Sequence, residues 1–260
     1  MSLDKDLLKV KGQVHLIEPF GAFDGPGLRF VLFLQGCPLA CKFCHNRTTW
    51  SAKLGETYTV KEVLDKFNQY KLFYGTTPKL TVSGGEPLFQ LEFLEALFLV
   101  AKSQGIETCL DTSAGIFKED EKEKYLKILK NTDLVLLDLK HSDPKKHLWL
   151  TARHLEPVLE FARFLNSIKK NIVVRQVIIP GINLFESQLK KLREFLDTLS
   201  SVCSIEILKY HTHGVKKWTN LGLNYPLKGV REANQSDFEF AFEILTKGYK
   251  FKKCKIFLTN

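Results

Sequence analysis

The 260-residue chain holds no run of 18 apolar residues, so nothing in it reads as a membrane-spanning helix. Its charged opening, Met1-Ser2-Leu3-Asp4-Lys5-Asp6, lacks the apolar core of an export signal. Both absences predict a cytosolic protein. Cysteine is sparse, six in all, and three of the six fall within eight positions; this is unlike a spread disulfide framework and suits a reducing compartment. No low-complexity linker or internal repeat divides the chain. With 44% hydrophobic residues it can bury a sizeable core, and one domain over residues 1–260 is expected.

Positive charge is in excess, with 38 basic against 29 acidic residues and a formal charge of +9. A nucleic-acid surface would need a basic block interleaved with aromatics. These lysines are instead scattered among acids, as in Lys118-Glu119-Asp120-Glu121-Lys122-Glu123-Lys124, and read as solvated helix faces. Polynucleotide binding is not expected; a basic face for an acidic protein partner stays open.

Apolar runs rich in β-branched and aromatic residues alternate with amphipathic stretches. Gln13–Glu18 reads as a lead-in strand. Six strands follow, at Phe30–Gln35, Lys79–Ser83, Glu107–Asp111, Leu134–Leu139, Ile172–Ile178 and Ser204–Leu208. Helices are expected at Val60–Tyr74, Leu88–Gln104, Lys118–Lys130, Glu156–Lys169, Glu186–Leu199 and Asp237–Gly248. Six strand–helix units imply an α/β fold, a partial six-stranded β/α barrel with parallel strands and right-handed crossovers.

Polar residues gather where those strands end. Cys37 follows the first, Ser83-Gly84-Gly85-Glu86 the second and Asp111-Thr112 the third. Asp138 and Lys140 end the fourth, Arg175 lies in the fifth, and Tyr210-His211 follows the sixth. In β/α barrels the active site sits on that C-terminal rim, so the distribution predicts one composite site. Gly84 and Gly85 let a ligand approach the backbone, and Glu86 beside them can accept from an ammonium group. Asp111, Thr112 and Asp138 offer oxygens to a hard cation; helix N-capping by Asp111 or Thr112 is the plainer reading.

The densest chemistry is Gly36-Cys37-Pro38-Leu39-Ala40-Cys41-Lys42-Phe43-Cys44-His45-Asn46, a C-x₃-C-x₂-C loop directly after an apolar strand. Its thiolates suit zinc or an iron–sulfur cluster. A structural zinc wants four protein ligands, and three cysteines leave one place open. His45 adjoins Cys44 and diverges from it. Cys109, Cys203 and Cys254 are solitary and read as small buried hydrophobes.

This loop resembles that of the radical S-adenosylmethionine (SAM) superfamily. More narrowly, Asp24-Gly25-Pro26-Gly27-Leu28-Arg29, Cys44-His45-Asn46-Arg47 with Trp50, Cys109-Leu110-Asp111-Thr112, Leu137-Asp138-Leu139-Lys140, Val174-Arg175, Tyr210-His211 and Lys217-Trp218 resemble activases of glycyl-radical enzymes, of the pyruvate formate-lyase kind. The resemblance implies a [4Fe-4S] cluster on Cys37, Cys41 and Cys44, with SAM on the open iron. One electron then breaks a carbon–sulfur bond of the sulfonium, giving methionine and a 5′-deoxyadenosyl radical that takes a hydrogen atom from a partner glycine. It further implies that Gly84, Gly85 and Glu86 hold the methionine amino group and that Asp111, Thr112 and Asp138 sit at a cofactor-side site for a monovalent cation. Lys140 and His211 would contact the cofactor, and Asp24 and Arg175 the partner's glycyl loop. A flavodoxin-like electron donor, a monomeric state and anaerobic activity are implied as well.

The chain departs from the activase pattern at Leu136 (where Met occurs), Thr48 (an acid) and Ser113-Ala114-Gly115 (Asp-Thr-Asn-Gly). No cysteine-rich insertion lies between Trp50 and Lys79, which argues against additional clusters. Two alternatives stand beside this reading. Another radical SAM enzyme would act on a small metabolite or nucleobase, since the motifs fix the cofactor and leave the substrate open. A non-enzymatic zinc or electron-transfer module would bind no SAM.

Overall fold

The computed structural model describes residues 5–254, so Met1 to Asp4 of the charged opening lie outside the described residues. Eight strands form one sheet: β1 (Lys11–Gly21), β2 (Arg29–Leu34), β3 (Glu56–Thr59), β4 (Lys79–Gly84), β5 (Glu107–Thr112), β6 (Leu134–Asp138), β7 (Ile172–Ile178) and β8 (Val202–Lys209). Their order is β3-β1-β2-β4-β5-β6-β7-β8. From β2 to β8 every pairing is parallel, which gives the six parallel strands of the expected barrel. β1 lies antiparallel on β2 and β3 antiparallel on β1, widening the sheet from six strands to eight at one edge. β3 and β8 do not pair, so the barrel stays open.

Helices α1 (Val60–Tyr70), α2 (Leu91–Ser103), α3 (Lys122–Lys130), α5 (Glu156–Ser167), α6 (Glu186–Leu196) and α8 (Gln235–Thr246) occupy the expected positions. α1 begins at a reciprocal cap in which Thr59 accepts from the Glu62 N–H while the Glu62 carboxylate accepts from the Thr59 N–H. It ends early because Lys71–Tyr74 tightens into a 3-10 turn. Likewise, Pro87–Gln90 is a 3-10 turn before α2. Two helices were not anticipated, α4 (Pro144–Thr151) and α7 (Val215–Asn220).

Side chains alternate across a strand, and the alternation sorts the sheet into two unlike faces. Phe30, Leu32, Leu80, Val82, Leu110, Val135, Leu137 and Val174 belong to the large core beneath the helices. Cys109, Leu134, Leu136 and Val173 form a separate apolar cluster. On that same inner face, two residues further along their strands, stand Asp111, Asp138 and Arg175. The inner face is therefore apolar low in the barrel and charged at its C-terminal rim.

Residues 22–28, between β1 and β2, are fastened by Arg29, which is fully buried. Its guanidinium pairs with Glu107 at 3.0 Å and donates to Thr81 Oγ1 at 2.7 Å and to the Pro26 carbonyl at 2.8 Å. Thr81 Oγ1 in turn donates to the Asp24 carbonyl at 2.7 Å. Leaving this arginine unpaired would strand a buried charge, so the motif Gly25-Pro26-Gly27-Leu28-Arg29 fixes the loop that carries Asp24.

Of the solitary cysteines, Cys109 is a buried member of the inner apolar cluster, as expected. Cys203 and Cys254 correct the reading: the structure joins them as a disulfide, 51 residues apart, with Cys254 against β8. Their sequence separation conceals a proximity that only the fold creates.

Candidate cofactor site

The rim opens into a cavity of about 710 Å³ whose lining includes Cys37, Cys41, Cys44, Gly84, Gly85, Asp111, Thr112, Asp138, Lys140, Arg175 and His211. Asp24 also lines it. Of the expected site residues, Glu86 alone does not line it.

The cysteine loop is held by backbone. Ala40 and Lys42 donate their N–H groups to the Thr151 and Leu150 carbonyls at 2.8 and 2.9 Å. Those carbonyls end α4, where a helix has no partners of its own for them. Arg153 Nε adds a bond to the Pro38 carbonyl at 2.8 Å. On the other side, Gly36 and Cys37 donate to the Thr49 and Trp50 carbonyls, and Glu86 N–H donates to the Gly36 carbonyl at 2.9 Å. Buried thiols resist ionisation: burial pushes Cys41 up to about 12, and burial together with the Glu86 charge pushes Cys37 above the thiol range. Thiolates here would require iron to replace the protons.

The glycines act differently from expectation. A Cβ on Gly85 would meet the Gly36 carbonyl oxygen at 2.2 Å, and one on Gly84 would meet the Leu34 nitrogen at 2.3 Å. Their smallness lets the end of β4 press against β2 at Gly84 and against the cysteine loop at Gly85. Gly84 also adopts φ +116°, which side chains rarely tolerate.

Glu86 is a correction. Its carboxylate, 1% exposed, is turned beneath the rim and accepts four hydrogen bonds. Thr112 Oγ1 and Leu88 N–H donate to Oε1 at 2.5 and 3.1 Å; Ser113 Oγ and N–H donate to Oε2 at 2.5 and 3.0 Å. Burial holds its pKa above the usual glutamate range although all four donors favour the charge. The side chain has no oxygen left for an ammonium group, and it clamps the β4 loop to the β5 loop. The same bond engages Thr112, whose hydroxyl also accepts from Ala114 N–H at 2.9 Å. No helix starts there, so neither Asp111 nor Thr112 is a helix cap.

The other half of the rim is ionic. Asp111 Oδ2 accepts from Ser83 Oγ at 2.7 Å and from Arg175 Nη1 at 3.1 Å, while its buried Oδ1 has no hydrogen-bond partner among the described residues. Arg175 Nη2 donates to the Phe23 carbonyl, and its Nε stands 3.2 Å from Glu206 Oε2, near enough to pair electrostatically but misaligned for a hydrogen bond. Lys140 pairs with Asp138 at 2.7 Å. Burial opposes the Lys140 charge, yet Asp138 and Cys41 hold its pKa above the lysine range. Burial, aided by the Asp111 charge, raises Asp24 to about 6. Asp111 and Glu206 are raised by burial too.

His211 is lowered by burial and by His213, which favours the neutral ring, and its buried Nδ1 lacks a partner among the described residues. His45 turns away from the thiols, its Nε2 3.1 Å from the His211 carbonyl. The sequence reading named Ser83, Ser113, Trp50 and Trp218 within motifs but gave none of them a role, and it did not name Glu206. The indole N–H groups of Trp50 and Trp218 point at Cys44, at Sγ (3.3 Å) and at the carbonyl (2.9 Å) respectively.

These residues suit an iron–sulfur cluster with an organic ligand beside it. Among the described residues no three Cys, His, Asp or Glu side chains converge on a single metal ion, and a cubane needs no such convergence because each thiolate takes its own iron. Asp111 Oδ1 and His211 Nδ1 are buried polar atoms in want of a partner, which a ligand in the cavity would supply.

The family model described as the Radical SAM superfamily matches residues 31–196. The chain belongs to the radical SAM superfamily. It is 40% identical over 248 residues to a pyruvate formate-lyase-activating enzyme of Listeria monocytogenes, covering 94% of this chain and 100% of that protein. To the one from Streptococcus mutans it is 45% identical over 230 residues, covering 87% and 88%. Among solved structures, a domain of the pyruvate-formate lyase-activating enzyme from Bacteroides vulgatus superposes with a TM-score of 0.53 at 26% identity, covering 64% of this chain and 91% of that one. The Streptococcus suis protein SuiB, bound to its precursor peptide SuiA, shares the fold at a TM-score of 0.62 and 17% identity, covering 81% and 44%. Membership in the radical SAM superfamily implies a [4Fe-4S] cluster and SAM. No helix among the described residues is long and apolar enough to cross a membrane.

Proposed function

We propose that this radical SAM enzyme activates a glycyl-radical enzyme, pyruvate formate-lyase in the first instance, with Cys37, Cys41 and Cys44 holding the cluster. The observation that carries the reading is the meeting, in one cavity, of the three thiols with an ionic wall whose buried Asp111 Oδ1 has no hydrogen-bond partner among the described residues. Relatives at 40–45% identity over most of the chain support the partner class. When bound, the cluster and SAM supply the electron and the 5′-deoxyadenosyl radical that removes a glycine hydrogen atom.

The chain's residues bind, orient and shield. The backbone of Ser83, Gly84 and Gly85, which lines the cavity, would hold the methionine amino group, and Glu86 stiffens that edge from below. Asp111 and Asp138, on neighbouring strands, with Thr112 at the same strand end, would hold a monovalent cation at the cofactor side. Lys140 and His211, which line the cavity from the β6 and β8 sides, would contact the cofactor. Arg175, joined to the Phe23 carbonyl, fixes the loop of Asp24 at the point where a partner glycine would enter. No proton transfer is needed, so these groups act by position and charge.

In this reading the chain works as a monomeric single domain, which is supported by a cavity lined by the strand ends and loops of one sheet. A flavodoxin-like donor, attracted by the +9 charge, delivers the electron in an anaerobic cytoplasm. The test is anaerobic incubation of reconstituted, reduced protein with SAM and purified pyruvate formate-lyase. A glycyl-radical signal on the partner, with 5′-deoxyadenosine formed, is expected. Cofactor cleavage driven by a small metabolite alone, with no radical on the partner, would instead favour the metabolite enzyme.

A further inference from the structure

Cys44 differs from the other two cysteines of the loop. Its sulfur accepts a side-chain donor, the Trp50 Nε1–H, at 3.3 Å, whereas the N–H groups that favour charge on the sulfurs of Cys37 and Cys41 belong to the loop backbone, at Leu39 and at Cys41 itself. Its carbonyl accepts the Trp218 Nε1–H at 2.9 Å. The two indoles meet edge to face, with centroids 5.5 Å apart. The Arg47 guanidinium lies 4.1 Å from the Trp50 ring and 5.5 Å from the Trp218 ring, and its buried Nε has no hydrogen-bond partner among the described residues. A cation is thus kept by ring faces next to the indole that donates to Cys44, and no acid among the described residues pairs with it.

We infer that Trp50 and Arg47 are positioning residues that raise the reduction potential of the cluster, easing entry of the electron; this rests on the assignment of the three cysteines above. A hydrogen bond to a ligating thiolate withdraws electron density from the iron, and it strengthens when reduction adds negative charge. A neighbouring positive charge in a poorly solvated site acts in the same sense. Trp50 can keep its aim because its own carbonyl accepts from Cys37 N–H and its ring is wedged between Arg47 and Trp218. The bond to sulfur and the cation act on the cluster itself. Trp218, bonded to the carbonyl, acts on the loop.

The test uses the full chain, reconstituted anaerobically, without SAM, with iron and sulfide counted and the midpoint potential read by redox-poised electron paramagnetic resonance. Trp50→Phe keeps the ring and removes the donor. At the wild-type midpoint its reduced-to-oxidised ratio should fall about tenfold, which is a shift of 59 mV for one electron. Arg47→Met should fall in the same direction by less, and Trp218→Phe should leave the midpoint near wild type. An unmoved midpoint in Trp50→Phe holding four irons overturns the inference. Should Trp50→Phe fail to load, Arg47→Met decides, and an unmoved midpoint there overturns it equally. A wild-type protein that takes up no cluster would fail earlier, contradicting the cysteine assignment itself.

Discussion

The two halves of the rim are built by different physics. On the β2 and β4 side, the cysteine loop is placed by backbone: two carbonyls at the end of α4, two glycines without room for a Cβ, and a buried Glu86 gathering four donors. From β5 to β8, position is set by charge, with Asp111, Arg175, Glu206, Asp138 and Lys140 in contact pairs. The first half should be intolerant of added volume. The second should tolerate isosteric exchange and respond to pH.

The largest effect expected of that contrast is at Gly85. Gly85→Ala puts a methyl 2.2 Å from the Gly36 carbonyl oxygen, against backbone that has little room to yield. A loss of about 3 kcal/mol in urea unfolding and failure to load iron are expected; wild-type iron content would show that the loop is softer than described. Next is Glu86→Ala, which strands four donors beneath the rim. It should cost about 3 kcal/mol and weaken SAM binding through a loosened β4–β5 clamp, measured by urea unfolding and equilibrium binding. Unchanged stability with weakened binding would restore Glu86 as a direct contact.

On the ionic half, Asp24 is the clean probe. Its folded pKa of about 6 lies above the ordinary 3.8, so the folded state binds more protons between those values and this carboxyl's contribution to stability falls as pH rises through that window. Asp24→Asn should therefore raise stability at pH 7.5 by about 2 kcal/mol. That advantage should shrink toward pH 4, as read by thermal unfolding across pH; a pH-independent difference would refute the burial argument. The smallest effect is at Ser83→Ala, which removes the hydroxyl that joins β4 to Asp111 and should cost about 1 kcal/mol.

Much of this was legible because it was local. The six parallel strands were visible as apolar runs, and their polar ends marked the rim. β3 escaped because Glu-Thr-Tyr-Thr is short, half exposed and set by pairing with β1. α4 carried an N-cap and proline signal in Asp143-Pro144, but its sequence lacks a strong apolar stripe. The role of Glu86 could not be read, because its donors Thr112 and Ser113 arrive from another strand end. Cys203 with Cys254, and Trp218 against Cys44, are likewise meetings made by the fold. Gly84 and Gly85 were singled out as tight positions, and the body pressed against them is the chain's own backbone, β2 at Gly84 and the cysteine loop at Gly85.

The central claim is that Cys37, Cys41 and Cys44 hold a cluster that SAM approaches directly. Electron paramagnetic resonance of the reconstituted, reduced protein with and without SAM, beside an assay for 5′-deoxyadenosine, tests it most directly. A [4Fe-4S]¹⁺ signal altered by SAM, with cleavage abolished in Cys41→Ala, is predicted. A silent spectrum with zinc bound and no cleavage would contradict the account.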